Sequence, residues 1–202
     1  KEIKNIQSKN GKNFSQLLKN KKLKLVCLIM FLVGGSFLTC LNFAAVFVKS
    51  INVVPITLFF LSYTIIALVM RIFFGWLPDK YGQVTFCKPA LIFYGLSIGI
   101  LGMSINFLGV VSAGLLFGIS HALVYPSIYT LALRFTDLSN KSKAFSICSV
   151  SFTSGGMIFS VFYGLVAETF SFKVMFLSCS IIVTLGFYYL IKLLEKEILN
   201  EY

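Results

Sequence analysis

Six long apolar runs, separated by short polar stretches, set the organisation of the chain. They cover approximately residues 23–48, 53–77, 86–104, 107–134, 144–167 and 172–194. Each lies near the roughly 20 residues that a helix needs to cross a bilayer. The predicted fold class is an all-α membrane protein with six transmembrane helices. Residues 1–22 are polar and Lys-rich and read as a cytoplasmic linker, with a short amphipathic piece at Phe14–Leu18. Residues 195–202 read as a polar cytoplasmic tail.

Positive charge sets an orientation. Lysines and arginines collect at Lys1–Lys24, Lys80, Lys88, Arg134, Lys141, Lys143, Lys192 and Lys196, while Lys49 and Lys173 alone fall on the other side. Cytoplasmic loops carry the excess of Lys and Arg, so both termini are expected in the cytoplasm. The net charge of +11 therefore needs no nucleic acid, because the lysines flank apolar spans instead of forming one basic face.

Composition agrees. The chain is 57% hydrophobic and 12% charged, with a mean hydropathy of +0.89. A soluble domain runs about 45–50% apolar and about 25% charged, which excludes that class. The five cysteines form no C-x-x-C pair and lie within the apolar runs. No metal, cofactor or disulfide framework is expected from them. Zinc-protease, nucleophile-elbow and phosphate-loop patterns are absent, so no enzyme is expected.

A weak internal echo relates the two halves. Gly75, Leu77, Asp79 and Tyr81 recur as Gly164, Val166, Glu168 and Phe170, an offset of 89 residues or three spans. Ser62 and Thr64 fall opposite Ser151 and Thr153 at the same offset. Three spans carry the second copy to the other side of the membrane, as two inverted three-helix repeats would.

Helical periodicity picks out three polar faces. The fourth span aligns Gly114, Gly118, His121, Tyr125 and Tyr129. Either His121, Tyr125 and Tyr129 contact a solute or relay a proton, or the glycines pack a neighbour while the polar tips bond carbonyls. Pro126 is expected to kink this span. The fifth span aligns Ser146, Ser149, Thr153, Gly156, Ser160 and Gly164, a small-residue face that favours helix packing over solute contact. The second aligns Thr57, Thr64, Arg71 and Gly75, with Arg71 expected two turns from the cytoplasmic end. Arg71 either snorkels to the interface or meets a carboxylate or anionic solute. Asn42 is a further cavity candidate, on the face of Gly35 and Thr39. No acid lies mid-span, so any proton carrier is His121 or lies outside this chain.

The stretch Arg71-Ile-Phe-Phe-Gly-Trp-Leu-Pro-Asp-Lys-Tyr-Gly-Gln83 resembles the signature cytoplasmic loop of the major facilitator superfamily. The fourth span, Gly114-Leu-Leu-Phe-Gly-Ile-Ser-His-Ala-Leu-Val-Tyr-Pro-Ser127, resembles the tenth helix of bacterial efflux members, and the Lys-rich start resembles the loop before the seventh. The resemblance implies the C-terminal half of a twelve-helix transporter in the plasma membrane. Its partner would be an N-terminal six-helix half of the same full-length chain. It would move a small solute by alternating access, with protons as a candidate coupling ion. Arg71, Gly75, Asp79, Lys80 and Gly82 would form the gating loop, with Asp79 bracing the cytoplasmic side. Lys80 and Gln83 stand where the family often has Arg and a basic residue. The competing expectations are a non-transporting six-helix scaffold or receptor and, less favoured, an intramembrane enzyme.

Overall fold

The computed structural model describes residues 14–17 and 19–199, and every described element is helical. A short helix α1 (Phe14–Leu17) precedes α2 (Lys21–Ser50), α3 (Leu58–Phe74), α4 (Leu77–Tyr81), α5 (Gln83–Met103), α6 (Phe107–Arg134), α7 (Lys141–Thr169) and α8 (Phe172–Leu199). The expected amphipathic piece is helical from Phe14 to Leu17, while residues 1–13 of the linker lie outside the described residues. Among the described residues, five helices are long and apolar enough to span a bilayer, and α3, with 17 residues, completes six.

Polar caps fix two of the long helices. The Asn20 side chain accepts from the Lys22 and Leu23 amides, and that of Asn106 accepts from the Gly109 amide. Both satisfy amides that a helix start leaves without a partner. The second span is shorter than expected at both ends. The chain turns through Asn52, at φ 56°, and the Leu58 amide donates to the Pro55 carbonyl before α3 begins. At the other end Gly75 breaks the helix, and α4 follows as a separate turn. Arg71 consequently lies in the last turn of α3, not two turns inside it. The C-terminal segment expected as tail continues α8 as far as Leu199. Its acids have partners there: Glu195 with Lys88 and Glu197 with Lys21, the latter at 3.8 Å.

Helix pairing follows the three-helix repeat. The main partners of α2 are α7 and α8, those of α6 are α3 and α5, and α5 meets α8. Exchanging α2, α3 and α5 for α6, α7 and α8 converts the α2–α7 pair into α6–α3 and α2–α8 into α6–α5. The α5–α8 and α2–α6 pairs map onto themselves. The fold is two inverted three-helix repeats, with α2 and α6 central, α5 and α8 together on one side, and α3 and α7 flanking.

Lipid tails are as apolar as leucine, so helices in a bilayer associate through close packing of small residues. The α2–α7 crossing is built that way and is reciprocal. A Cβ on Gly34 would run into the Phe152 carbonyl, and one on Gly155 into the Phe31 carbonyl. In the α6–α3 crossing, a Cβ on Gly114 would strike Ser62 and one on Gly118 the Tyr63 carbonyl and Ile66. The 89-residue offset carries Tyr63 onto Phe152. Thus the two flanking helices present equivalent carbonyls to glycines of the two central ones.

One end of the bundle is basic. The Asn20 amide donates to the Phe135 carbonyl at 2.9 Å, tying the start of α2 to the end of α6. The two ion pairs of α8 bring its end beside the starts of α2 and α5. Among described residues, Lys49 and Lys173 are the lysines at the opposite end.

Candidate functional site

Aromatic rings from five helices converge on His121. The imidazole is 4% exposed. It stacks on Phe37 of α2 at 4.4 Å between centroids and 11° between planes. Tyr63 of α3 stands at 6.1 Å, Tyr94 of α5 at 5.8 Å and Tyr125 of α6 at 5.4 Å. Phe152 of α7 completes the cluster, 5.9 Å from Phe37 and 5.4 Å from Tyr125. Phe37 thus sits between Tyr63 and Phe152, the pair that the repeat makes equivalent.

The polar groups in this cluster are unequally served. Among the described residues His121 Nδ1 has no hydrogen-bond partner, nor do the Tyr94 hydroxyl and the Ser120 hydroxyl. Burying a polar group without a partner costs free energy, about 1–3 kcal/mol by mutational measures. Tyr125 donates to the Tyr129 hydroxyl at 3.5 Å, and Tyr129 shares a 3.0 Å hydrogen bond with Ser149 of α7. His121, Tyr125 and Tyr129 therefore do form one stripe on α6. The stripe points into the bundle at His121 and towards α7 at Tyr129, so the imidazole is enclosed, not presented on an open wall.

The small-residue face of α7 meets the central helices only in part, since Ser146 and Thr153 are exposed. Gly156 lies against the Leu38 side chain, Ser149 reaches Tyr129, and the Ser160 hydroxyl accepts from Asn42 at 2.9 Å. Asn42 is exposed and this bond ties it to α7. Thr153 returns its hydroxyl to the Ser149 carbonyl and stays exposed. On α3, Tyr63, Thr64, Ala67, Leu68 and Arg71 line an open concavity of about 160 Å³. Tyr63 joins it to the His121 cluster.

Helical periodicity singled out His121, Tyr125 and Tyr129 but not Phe37, Tyr63 and Phe152, which pack around them. A signal for two of them existed. The echo that aligned Ser62 with Ser151 and Thr64 with Thr153 aligns Tyr63 with Phe152 between them.

The loop residues are arranged differently from a simple Arg71–Asp79 pair. Arg71 is exposed and has no carboxylate partner among the described residues. Asp79 accepts from the Gln83 side chain at 3.4 Å. Lys80 folds back over Trp76 and Tyr81, at 5.1 and 5.4 Å from the ring centroids, within cation–π range. Gly82 has φ 91°, a conformation that a side chain strains, and there the chain reverses into α5. A Cβ on Gly75 would stand 2.6 Å from the Arg71 carbonyl oxygen, so glycine permits the break between α3 and α4.

No curated protein matches the sequence. The family comparison is positive and extends across nearly the whole bundle, matching the Major Facilitator Superfamily over residues 25–201. That range takes in both three-helix repeats and the loop between α3 and α5. With six apolar helices exchanged pairwise by an inverted repeat, the chain belongs to the Major Facilitator Superfamily, a family of membrane transporters and not of enzymes.

Proposed function

We propose that this chain is the C-terminal half of a twelve-helix secondary transporter of the efflux type. In this reading it moves a small solute across the plasma membrane by alternating access, rocking against an N-terminal half of the same full-length chain. Protons are the candidate coupling ion, and both termini face the cytoplasm. The observation that carries the reading is the exposure of two equivalent helices. Of the 17 residues of α3, only Leu58, Phe59, Ser62 and Ala67 are buried, and α7 buries only Ala144, Cys148, Gly155, Gly156 and Tyr163. The repeat makes these helices counterparts, and each sets threonines among exposed apolar residues: Thr64 on α3 and Thr153 on α7. A wall of a water-filled cavity needs such mixed faces, while a lipid-facing wall does not. The aromatic cluster lies directly behind, so Phe37 and Tyr125 would meet the solute first and His121 would act through them.

Cysteine accessibility in the complete protein tests the cavity. In a background without native cysteines, Thr64→Cys and Thr153→Cys are both expected to react with a small water-soluble thiol reagent. The scaffold or receptor alternative leaves these faces in lipid. Labelling only by membrane-partitioning reagents would favour that alternative and refute the cavity.

Orientation has its own test. Gln83 and Asn140 are 2% and 1% exposed, so cysteines there would be silent in either orientation. Thr85 and Ser139 at the basic end, and Ser50 and Phe170 at the other, are exposed. An impermeant reagent added outside intact cells should label Ser50→Cys and Phe170→Cys but not Thr85→Cys or Ser139→Cys. The reverse pattern contradicts cytoplasmic termini.

A further inference from the structure

The seam between α5 and α8 changes character along its length. Towards the less basic end it is tight. The Ser180 hydroxyl donates to the Gly95 carbonyl at 2.8 Å, and a Cβ on Gly99 or Gly102 would crowd Ser180 or Phe176. Towards the basic end the side chains are large, and the helices leave a slot of about 380 Å³. Its lining is Lys88 and Ile92 from α5 and Tyr188, Ile191, Lys192 and Glu195 from α8. Positions 88 and 92 are one helical turn apart, and 188, 191, 192 and 195 share one face of α8.

The slot is graded in polarity. Its outer rim carries two ammonium groups and one carboxylate. Lys88 pairs with Glu195, and Lys192 has no ion pair among the described residues. One positive charge is left over at the rim. A turn deeper, about 6 Å along the axis, the walls are Ile92 and Tyr188. A further turn from the basic end, on the same faces of the two helices, Leu96 and Leu185 are large and exposed.

We infer that this slot seats one anionic phospholipid, with its phosphate at Lys192 and Lys88 and an acyl chain along Ile92 and Tyr188. An ammonium has three donors, so Lys88 can keep Glu195 and still reach a phosphate oxygen. Basic pockets between helices at a membrane surface suit anionic headgroups, and the apolar floor suits a chain that free phosphate lacks. The site lies on the side of the bundle away from α3 and α7, and the inference stands apart from the proposed transport activity.

The test uses the complete protein, delipidated and returned to nanodiscs of equal parts phosphatidylglycerol and phosphatidylcholine, with retained lipid read by native mass spectrometry. Phosphatidylglycerol should be retained in preference. Lys192→Gln should weaken that preference about fivefold, the size of one lysine contact at an anionic surface. Adding Lys88→Gln should abolish it, while Lys24→Gln, an exposed lysine at the same end, should leave it intact. Inorganic phosphate should not displace the lipid. Equal retention of both lipids, an unchanged preference in Lys192→Gln, an equal loss in Lys24→Gln, or displacement by phosphate would each overturn the site.

Discussion

Gly34→Ala and Gly155→Ala are each expected to destabilise the protein by about 3 kcal/mol or more. Overpacking usually costs about 1–3 kcal/mol, because side chains shift to make room. Here the obstacle is backbone. The added methyl on Gly34 meets the Phe152 carbonyl, and the one on Gly155 meets the Phe31 carbonyl. Neither carbonyl can move without breaking helix geometry, so the whole α2–α7 crossing must open. That crossing also holds Phe37 against Phe152, and the cluster around His121 would loosen with it. Gly164→Ala is the control. Its Cβ would lie 3.4 Å from the tip of the Phe43 ring, an ordinary contact with a movable group. Replacing an interior helical glycine gains up to about 1 kcal/mol of helix propensity, so this variant should be neutral or slightly stabilised. The midpoint of thermal unfolding in detergent separates them, at about 2–4 °C per kcal/mol for a chain of this size. If all three variants melt together, the crossing is not the tight contact described here.

The same glycines show what the sequence could and could not reveal. The six apolar runs mark the helices well because hydropathy and length decide whether a segment can span. The fourth run, 107–134, coincides with α6. Ends failed where local turn chemistry mattered. The turn at Asn52 to Pro55 and the break at Gly75 trimmed the second span, and that moved Arg71 to the helix end. The C-terminal acids looked like solvated tail because their partners, Lys88 and Lys21, are distant in sequence. Tertiary neighbours were the harder problem. Periodicity tells which residues share a face, but not which face meets which helix. In a chain with 22 phenylalanines, Phe37 in the cluster and Phe162 at 52% exposure look alike. The repeat was the one long-range signal available, and it pointed within one residue of Tyr63 and Phe152.

On the proposed alternating-access cycle, Asp79→Asn in the complete protein is expected to shift the balance between inward-open and outward-open states about tenfold, and transport should fall with it. The carboxylate is exposed, on the single-turn helix α4 that leads through Gly82 into α5. Its one side-chain bond among the described residues is the 3.4 Å contact from Gln83, long for a charge-assisted hydrogen bond. Lys80, next in sequence, is held over Trp76 and Tyr81. Arg71 is not drawn to it either. The charge therefore has no ion-pair partner among the described residues and is open to donors from the proposed N-terminal half. A hydrogen bond to a charged group contributes about 1.5–3 kcal/mol. Made in only one of two states, it biases their ratio by its own differential free energy. The lower figure already corresponds to about tenfold. Asparagine keeps the size and the link to Gln83 and removes the charge, so folding and insertion should be unaffected. Thiol probes on the basic-end side of the cavity should become more reactive, and a second substitution, Gln83→Ala, should not reproduce the effect. Unchanged accessibility together with unchanged transport would leave Asp79 as a solvated loop residue, and the brace would have to be sought at Arg71, the other charge in this loop without an ion pair among the described residues.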